Sequence, residues 1–308
     1  MTDLIIDPEF VELLTVFPPL QFVDPMAQRA TLAEVRRASS PSSLPEDVVV
    51  ERAVVDEAGI AVPVHRFRPQ ELPERAPVLI WMHGGGYCIG TPDEDAGLCA
   101  WLARKLGALV VSVDYRLAPE HPYPAGLDDC CAVVRAVSAQ FPESRIAIGG
   151  ASAGAGLAAA VTLRARSGDC PMPDAQLLIM PFLDARLSSA SMHELAEAPV
   201  FTAKDAADCW RHYLGDRVGD PPADGSPSAA ADLAGLPPAY VAVAGTDCLR
   251  DEAIDYALRL QAAGVPAELH VVPGVPHGFT GLLPGSTAAR RIRTELAAVA
   301  SRLLEEQT

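Results

Sequence analysis

The sequence lacks any apolar run that approaches the roughly 18 residues needed to cross a membrane. It is also poor in basic residues: 24 lysines and arginines stand against 40 aspartates and glutamates, a formal net charge of −16. Nucleic acids and anionic membrane surfaces repel a chain with this charge. The first three residues, Met-Thr-Asp, carry an acid where a secretion signal carries bases. We therefore expect no nucleic-acid partner, no stable membrane association and no secretion signal.

Cysteine spacings typical of metal sites are missing too. The seven cysteines are an odd number without metal-type spacing, and the adjacent pair Cys130 and Cys131 is awkward for a disulfide. Free thiols in a reducing compartment are the simpler interpretation, which predicts a cytoplasmic protein. Nucleotide motifs are also missing around the glycines at 84–86, where neither Gly-Lys-Ser/Thr nor G-x-G-x-x-G occurs.

The length and the hydrophobic pattern predict one enlarged α/β domain. With 308 residues, of which 49% are hydrophobic, the chain can bury a substantial core. Two early strands, 48–56 and 62–68, are expected to be antiparallel. Short apolar runs then alternate with helical stretches, which is typical of a mostly parallel sheet with helices on both faces. The later strands are predicted at 78–82, 109–113, 145–148, 176–180, 240–244 and 268–272, and helices at 95–106, 126–140, 153–167, 252–263 and 287–305.

Residues 150–154, with the sequence Gly-Ala-Ser-Ala-Gly, lie between a predicted strand and a helix-favouring segment. A G-x-S-x-G in this context is typical of a nucleophile elbow, in which the serine occupies a sharp, strained turn above the sheet. A Cβ at either flanking glycine would clash with packed backbone in such a turn. Because the bare pentapeptide also occurs by chance, a catalytic role for Ser152 requires an oxyanion hole, a base and an acid elsewhere in the chain.

Three consecutive glycines, Gly84, Gly85 and Gly86, follow the predicted strand at 78–82. Their N–H groups can approach a ligand closely because no side chain stands in the way. Donors aimed at the oxygen of a tetrahedral acyl-transfer intermediate lower the barrier by about 3–4 kcal/mol each. Together with the elbow, this favours an oxyanion hole formed by the N–H groups of Gly84, Gly85 and Ala153. The alternatives are a plain glycine-rich loop and a phosphate cradle, and the missing nucleotide motifs argue against the cradle.

His277 and Asp247 are the candidate base and acid. His277 lies in a turn-rich loop directly after the predicted strand at 268–272, and Asp247 has the matching position after the strand at 240–244. The order serine, acid, histidine is that of elbow-type hydrolases. In such a triad the histidine takes the serine proton, while the acid fixes the imidazole tautomer and stabilises the imidazolium.

Other acids and histidines are less suited to these roles. Asp251 is expected to open the next helix, where an acid interacts favourably with the helix dipole. His270 lies inside a strand pattern, and His193 and His212 lie in a helical segment. His83, directly before the glycines, is expected to brace its own loop by hydrogen bonding.

With these motifs the chain resembles the hormone-sensitive-lipase-like carboxylesterases of the α/β-hydrolases. The matching segments, in family order, are 83–86 (HGGG), 115–125 (YRLAPEHPYPA), the elbow at Ser152, 247–252 (DCLRDE) and 277–279 (HGF). The resemblance implies the α/β-hydrolase fold, with a mostly parallel eight-stranded sheet and a helical cap, and esterase activity without metal or cofactor. The chain departs from the family at Ala151, where aspartate is usual, and at Ala155, where glycine is frequent.

Two stretches interrupt the strand and helix alternation, residues 1–45 and 186–226. By resemblance they form the cap, and residues 46–185 and 227–308 form the catalytic core. The cap and its surroundings supply candidate substrate-binding residues, which are Tyr87, Phe182, Leu183, Phe201, Trp210, Tyr213 and Phe22. The alternative for each is that it belongs to the cap's own hydrophobic core.

The sequence therefore predicts a serine carboxylesterase that hydrolyses short-to-medium acyl esters through an acyl-enzyme. Its expected partner is a small-molecule ester, and a homodimer is a further option. A non-catalytic small-molecule receptor on the same fold is the alternative from another class, and His277 favours the enzyme. An amidase or lactonase that uses the same triad stays open, because the triad chemistry is shared. The natural substrate, the limit of acyl length and the stereopreference also stay open.

Overall fold

A single sheet of eight strands organises the computed structural model, which describes residues 4–17, 20–38 and 44–305. The strands are β1 (Val48–Glu57), β2 (Ile60–Pro69), β3 (Val78–Met82), β4 (Leu109–Val113), β5 (Ile146–Ala151), β6 (Ala175–Ile179), β7 (Ala239–Ala244) and β8 (Ala267–Val272). Their order across the sheet is β1-β2-β4-β3-β5-β6-β7-β8. β2 pairs antiparallel with β1 and β4, and the other neighbours are parallel. This confirms the predicted sheet; the part of the prediction that falls on residues 1–3, 18–19, 39–43 and 306–308 lies outside the described residues.

The strand that leads to the elbow is longer than its apolar run predicts. Gly149 and Gly150 continue β5 and pair with Leu177 and Leu178 of β6. A Cβ on Gly149 would lie only 2.8 Å from the Leu177 carbonyl oxygen. These glycines are therefore strand residues that allow close approach of a neighbour, and the sharp turn begins later than the hydrophobic pattern indicates.

Ten α-helices surround the sheet in the described part of the chain. They are α1 (Pro8–Val16), α2 (Pro25–Ala38), α3 (Ala96–Leu106), α4 (Ala125–Gln140), α5 (Ala153–Arg166), α6 (Ala190–Glu194), α7 (Ala203–Leu214), α8 (Arg250–Ala262), α9 (Phe279–Leu282) and α10 (Thr287–Leu304). None of these helices is long and apolar enough to cross a membrane. α3, α4, α5, α8 and α10 correspond to the predicted helices.

The alternation of side chains along each central strand produces two cores, one on each face of the sheet. In β3, Ile80 and Met82 enter the core beneath α4, α5 and α8, whereas Leu79 and Trp81 enter the core beneath α3 and α10. All four side chains are fully buried. Complete burial of a side chain of this kind contributes about 1.5–3 kcal/mol. The paired cores hold the sheet rigidly, so the loops at its edge have a fixed support.

The helices outside the strand and helix alternation pack in different places. Phe10 of α1 is buried in the core beneath α3 and α10, and Asp7 N–H donates to the carbonyl oxygen of Gly274. Phe22, just before α2, joins the other core together with Cys209 of α7. The division of the chain into a core and a cap stays a prediction.

Candidate active site

Ser152 lies at the turn between β5 and α5, with φ +54° and ψ −120°. A positive φ is strained for a residue with a side chain. A Cβ on Gly150 would lie 2.5 Å from the Met82 carbonyl oxygen, and one on Gly154 would lie 2.1 Å from the same atom. The two flanking glycines therefore let the turn pack against the end of β3, as the pentapeptide predicts.

The strained turn is held by backbone hydrogen bonds to the neighbouring strand and the loop after it. Ser152 N–H donates to the Ile179 carbonyl oxygen at 2.8 Å, and Phe182 N–H donates to the Ser152 carbonyl oxygen at 3.1 Å. Gly156 N–H donates to the same oxygen at 3.0 Å. With both backbone groups of Ser152 fixed, its Cα–Cβ bond keeps one direction.

Three side chains predicted from separate parts of the chain are in hydrogen-bond contact. His277 Nε2 lies 2.8 Å from Ser152 Oγ, and His277 Nδ1 lies 2.5 Å from Asp247 Oδ2. A carboxylate accepts from Nδ1–H, so Nε2 is the acceptor that faces the serine hydroxyl. All three residues are buried. They come from the carboxyl ends of β5, β7 and β8, which the parallel sheet brings to one edge.

The loops that carry the acid and the histidine are tied to each other. Thr246 N–H and its hydroxyl both donate to the carbonyl oxygen of Val275, at 3.2 and 2.7 Å. Leu249 N–H donates to the other carboxylate oxygen of Asp247 at 3.0 Å. The motifs do not predict this role of Thr246, although its position directly before the candidate acid is a usable signal.

The competing acid and histidines lie elsewhere. Asp251 is in the first turn of α8, where its carboxylate accepts from Arg250 at 2.7 Å and from Ser191 N–H at 2.8 Å. His270 on β8 lies 3.1 Å from Glu295. Among these candidates, only the predicted pair meets the serine.

His83, His193 and His212 belong to other segments of the chain. His193 lies in α6 and His212 in α7, where its Nε2 is 3.1 Å from the carbonyl oxygen of Phe22. His83 stacks on Tyr115 with ring centroids 4.3 Å apart, and its Nδ1 lies 2.7 Å from the Gly84 carbonyl oxygen. His83 therefore braces the glycine loop, as expected.

The glycine loop lies beside the serine. A Cβ on Gly84 would be 3.5 Å from Ser152 Cβ. The N–H groups of Gly84, Gly85 and Ala153 donate to no acceptor within the described residues. Gly85 has φ +122°, and its carbonyl oxygen accepts from the N–H groups of Cys88 and Ile89. The loop therefore forms a tight turn on one side and has unbonded N–H groups next to Ser152.

The third glycine serves packing. Gly86 has φ +60°, and a Cβ there would lie 2.3 Å from Cys209 Sγ and 3.0 Å from Phe22 Cε1. Helix α7 and the segment before α2 thus press directly against the glycine loop. The sequence predicts unhindered N–H groups at all three glycines and assigns only Gly84 and Gly85 to the oxyanion hole, with Ala153. The contact of Gly86 with Cys209 and Phe22 could not be predicted, because these residues are far apart in the chain.

The seven candidate substrate-binding residues lie in the core beneath α4, α5 and α8, and all are at most 3% exposed. Tyr87 stacks on Tyr213 at 4.1 Å, and its hydroxyl donates to the Phe182 carbonyl oxygen at 2.7 Å. Phe182 also contacts Trp210 and Phe201, with ring centroids 4.4 and 5.6 Å away. Leu183 and Phe22 adjoin this aromatic cluster. Contact with substrate stays a prediction for each of them.

The buried carboxyl group of Glu252 binds the backbone of residues 183 and 184, directly after Phe182 of the aromatic cluster. Glu252 Oε1 accepts from Leu183 N–H at 2.6 Å and from Asp184 N–H at 3.2 Å. Burial raises the pKa of Glu252 well above its ordinary value, so the neutral form is favoured. The motifs do not predict this role of Glu252, although the residue ends the family segment 247–252. In the part of the chain that is described, no three His, Cys, Asp or Glu side chains are grouped as metal ligands.

Comparisons with known proteins agree with this geometry. Residues 79–281 match a family described by the alpha/beta hydrolase fold. The chain is 39% identical over 295 residues to Esterase LipI of Mycobacterium tuberculosis, an alignment that covers 92% of each protein. It is 37% identical to Carboxylesterase NlhH of the same species, over 89% of this chain and 88% of the relative.

A solved structure gives the same result for the whole fold. The protein named Bacterial Heroin Esterase superposes with a TM-score of 0.92 at 37% identity, covering 98% of both chains. Similarity at this level extends over the sheet, the elbow and the loops that carry the acid and the histidine. The chain therefore belongs to the α/β-hydrolases, in their hormone-sensitive-lipase-like carboxylesterase family, and is a carboxylic ester hydrolase.

Proposed function

We propose that the protein hydrolyses short-to-medium acyl esters through an acyl-enzyme, with Ser152 as nucleophile, His277 as base and Asp247 as the orienting acid. The observation that carries the proposal is the unbroken contact from carboxylate to imidazole to hydroxyl, 2.5 and 2.8 Å long. The 2.8 Å between His277 Nε2 and Ser152 Oγ is within reach for proton transfer from the serine to the imidazole. The Asp247 carboxylate orients the imidazole and does not itself take the proton.

Acylation follows from the orientation of the imidazole. As Ser152 Oγ attacks the ester carbonyl carbon, His277 Nε2 takes its proton, and Asp247 stabilises the imidazolium that forms. The tetrahedral intermediate then collapses, the bond to the alcohol oxygen breaks, and His277 returns the proton to that oxygen. The products of this half-reaction are the free alcohol and an ester on Ser152.

The charge that develops on the carbonyl oxygen is stabilised by the N–H groups of Gly84, Gly85 and Ala153. What supports this assignment is that a Cβ on Gly84 would lie 3.5 Å from Ser152 Cβ, while Gly85 and Ala153 directly follow Gly84 and Ser152 in the chain. The three N–H groups also have no other acceptor within the described residues. Loss of one such donor typically lowers kcat about 10²–10³-fold. Backbone donors fixed by a tight turn need no rearrangement when the charge appears.

Deacylation repeats the steps with water in place of the alcohol. The oxygen of the water molecule attacks the acyl carbon while His277 takes a proton from the water. The new tetrahedral intermediate then expels Ser152 Oγ. The serine recovers the proton from the imidazolium, and the carboxylic acid leaves.

The substrate preference is proposed from the walls of the site. Residues 1–45 and 186–226 form the cap over a core of residues 46–185 and 227–308. The acyl group is bordered by Phe22, Tyr87, Phe182, Phe201, Trp210 and Tyr213, together with Leu183. Apolar walls favour an uncharged acyl chain, since burying an unpaired charge is costly.

All seven cysteines are buried and form no disulfide, which supports a cytoplasmic location.

The direct test replaces the nucleophile and a matched serine. Ser152→Ala should lower the hydrolysis of p-nitrophenyl butyrate by more than about 10³-fold, with the far-UV circular dichroism unchanged. Ser228 is also buried, and its hydroxyl has no partner in the described structure, so Ser228→Ala should keep activity near that of the unchanged protein. Retained activity in Ser152→Ala would remove the nucleophile assignment.

An organophosphate separates the enzyme from the receptor alternative. An activated serine should be labelled at one site per chain, and Ser152→Ala should not be labelled.

A panel of p-nitrophenyl esters from acetate to dodecanoate then measures the acyl limit. A rate that rises steadily to the longest chain would contradict the proposed short-to-medium preference.

A further inference from the structure

Arg29 of α2 makes a three-way contact beside the glycine loop. Its Nε donates to the carbonyl oxygen of Cys88 at 2.6 Å, and Nη2 donates to that of Ala118 at 2.5 Å. The remaining nitrogen, Nη1, donates to the carboxylate of Glu120 at 2.5 Å. The Arg29 side chain is 24% exposed. A guanidinium is the one side chain whose fixed, planar set of donors can satisfy three acceptors in this way.

The two carbonyl groups belong to two loops that are themselves linked. Cys88 lies in the turn that closes on Gly85, whose oxygen accepts from the N–H of Cys88 at 3.0 Å. Ala118 N–H donates to the carbonyl oxygen of Tyr87 at 3.0 Å. Arg29 therefore joins α2 to both loops at the place where the backbone of residues 85–88 is already tied down. Hydrogen bonds from a charged donor are roughly twice as strong as neutral ones.

The contact with the carboxylate of Glu120 is the weaker part of this arrangement. The hydrogen bond from Arg29 holds the pKa of the Glu120 carboxyl below its ordinary value. Glu120 is 38% exposed, so the ion pair itself is weakened by solvent. The contacts with the two carbonyl oxygens are partly buried and carry most of the restraint on the loops.

Packing restrains the same loop from a second direction. The ring of Phe22 and the thiol of Cys209 lie so close to Gly86 that a Cβ there would overlap the sulfur. The loop is thus held between this apolar contact and the guanidinium, both of which involve the N-terminal segment.

We infer that Arg29 is a positioning residue for ester hydrolysis, which fixes the turn at residues 85–88 so that the Gly84 and Gly85 N–H groups point at the oxyanion. The inference rests on the proposed function, since it assigns the oxyanion hole to this loop. Arg29 touches neither substrate nor triad and acts through the backbone. A shift of about 1 Å in a catalytic group can lower the rate by up to about 100-fold. A loosened but intact loop should have a smaller effect.

The test compares two substitutions of Arg29. Arg29→Met should lower kcat on p-nitrophenyl butyrate by roughly tenfold, with KM changed less than about threefold, because the interaction lost is one that matters in the transition state. The kcat of Arg29→Lys should lie between that of Arg29→Met and that of the unchanged protein, since an ammonium keeps the charge but cannot reach all three acceptors. Both variants are assayed at 25 °C, where circular dichroism confirms that they are folded.

A transition-state mimic separates positioning from a structural role. A trifluoromethyl ketone adds the oxygen of Ser152 to its carbonyl carbon, and the ketone oxygen takes the negative charge in the oxyanion hole. Its affinity should weaken in Arg29→Met by the same factor as kcat. A kcat loss without any loss of affinity for the ketone would overturn the inference.

Two controls complete the experiment. Glu120→Gln removes the charge of the partner but leaves both carbonyl contacts, so kcat should stay within about twofold. Arg75 forms a solvent-exposed ion pair with Glu143, and Arg75→Met should have no effect. If Glu120→Gln loses as much activity as Arg29→Met, the carbonyl contacts are not what matters and the inference is wrong.

Failure of this inference is distinct from failure of the proposed function. If Ser152→Ala is inactive while Arg29→Met has unchanged kcat and unchanged affinity for the ketone, only the role of Arg29 is lost. If Ser152→Ala is fully active, Ser152 is not the nucleophile, and the assignment of the oxyanion hole beside it fails as well.

Discussion

The phenyl ring of Phe201 lies stacked on the imidazole of His277, with ring centroids 5.0 Å apart and planes at 29°. Phe201 precedes α7, and its carbonyl oxygen accepts from the thiol of Cys248 at 3.5 Å. Val200, directly before it, has φ +75°, which is unusual for a β-branched residue. Strained backbone of this kind persists only where the surrounding structure enforces it. The contact places a side chain from outside the sheet on the proposed catalytic base.

Removal of this ring should affect both rate and stability. Phe201→Ala is expected to lower kcat on p-nitrophenyl butyrate roughly tenfold, because the imidazole loses the surface that limits its movement. It should also lower the free energy of unfolding by about 3–5 kcal/mol, as for other large-to-small core changes. Steady-state kinetics and urea unfolding measure the two effects.

Phe201→Leu is the matched variant, since it keeps most of the apolar volume without the aromatic stack. The loss of unfolding free energy in Phe201→Leu should be less than half of the loss in Phe201→Ala. Unchanged kcat in both variants would show that the stacked ring does not support His277.

The two neighbouring acids give a paired prediction. Asp247→Asn should lower kcat by about 10³–10⁴-fold, because an amide stabilises the wrong imidazole tautomer and no longer stabilises the imidazolium. Asp251→Asn should lower kcat less than tenfold, since the Asp251 carboxylate bonds Arg250 and the backbone of Ser191 instead. Equal losses in the two variants, measured with the same ester, would contradict the assignment of the acid.

A methyl group on Gly86 should disturb the glycine loop. Gly86→Ala places a Cβ 2.3 Å from Cys209 Sγ. We expect a loss of about 1–3 kcal/mol of stability from overpacking, in addition to the backbone cost of a positive φ. Cys209→Ala in the same chain should recover part of both stability and activity, because it removes the sulfur that the new methyl group meets.

Gly107 provides the control for that experiment. It has the same φ of +60° at the end of α3, and a Cβ there would meet nothing within 4 Å. Gly107→Ala therefore measures the backbone cost alone. If Gly86→Ala is no worse than Gly107→Ala in urea unfolding, the contact with Cys209 is softer than the distance indicates.

Stability should depend on pH through Glu252. Desolvation raises the pKa of this acid in the folded state, so the folded state binds its proton more tightly than the unfolded chain does. Stability contributed by Glu252 must then fall as pH rises above about 4.3, the ordinary glutamate value, towards the folded-state pKa. Glu252→Gln removes the titration and keeps an oxygen for the N–H groups of Leu183 and Asp184.

The measurement is the difference in unfolding free energy between Glu252→Gln and the unchanged protein at pH 5, 6, 7 and 8. The substituted protein should gain relative stability as the pH rises from 5 towards the folded-state pKa of Glu252, and the difference should level off above that pKa. Using the difference cancels the contribution of all other titrating groups. A difference that does not vary with pH would mean that burial does not favour the neutral carboxyl.

Much of the fold could be predicted because local pattern and long-range structure agree. Each central strand is a short, apolar run bounded by turn residues, and its position was found within three residues. The end of β5 was missed because Gly149 and Gly150 have no hydrophobic side chain, although the ladder and the close approach of Leu177 keep them in the strand. Hydrophobicity does not record such backbone contacts.

The candidate site was predictable to the extent that its chemistry is written in motifs. Ser152, Asp247 and His277 each follow a strand in the order typical of elbow hydrolases, and the structure places their side chains in contact. Thr246 directly precedes the candidate acid and Glu252 ends the family segment 247–252, whereas Arg29 lies in no motif. They act on backbone groups that are distant in sequence, so nothing local could indicate what they bind.

By itself the sequence determined which residue types end the strands, and therefore which nucleophile, base and acid the chain can offer. It also determined where the backbone can turn sharply, because only glycine tolerates the close contacts around Ser152. The tertiary structure alone decided which parts of the chain press on that site. Gly86 meets Cys209, His277 meets Phe201 and Cys88 meets Arg29 only after the two cores have packed, since residues so far apart are brought together by burial of apolar surface and not by any local preference.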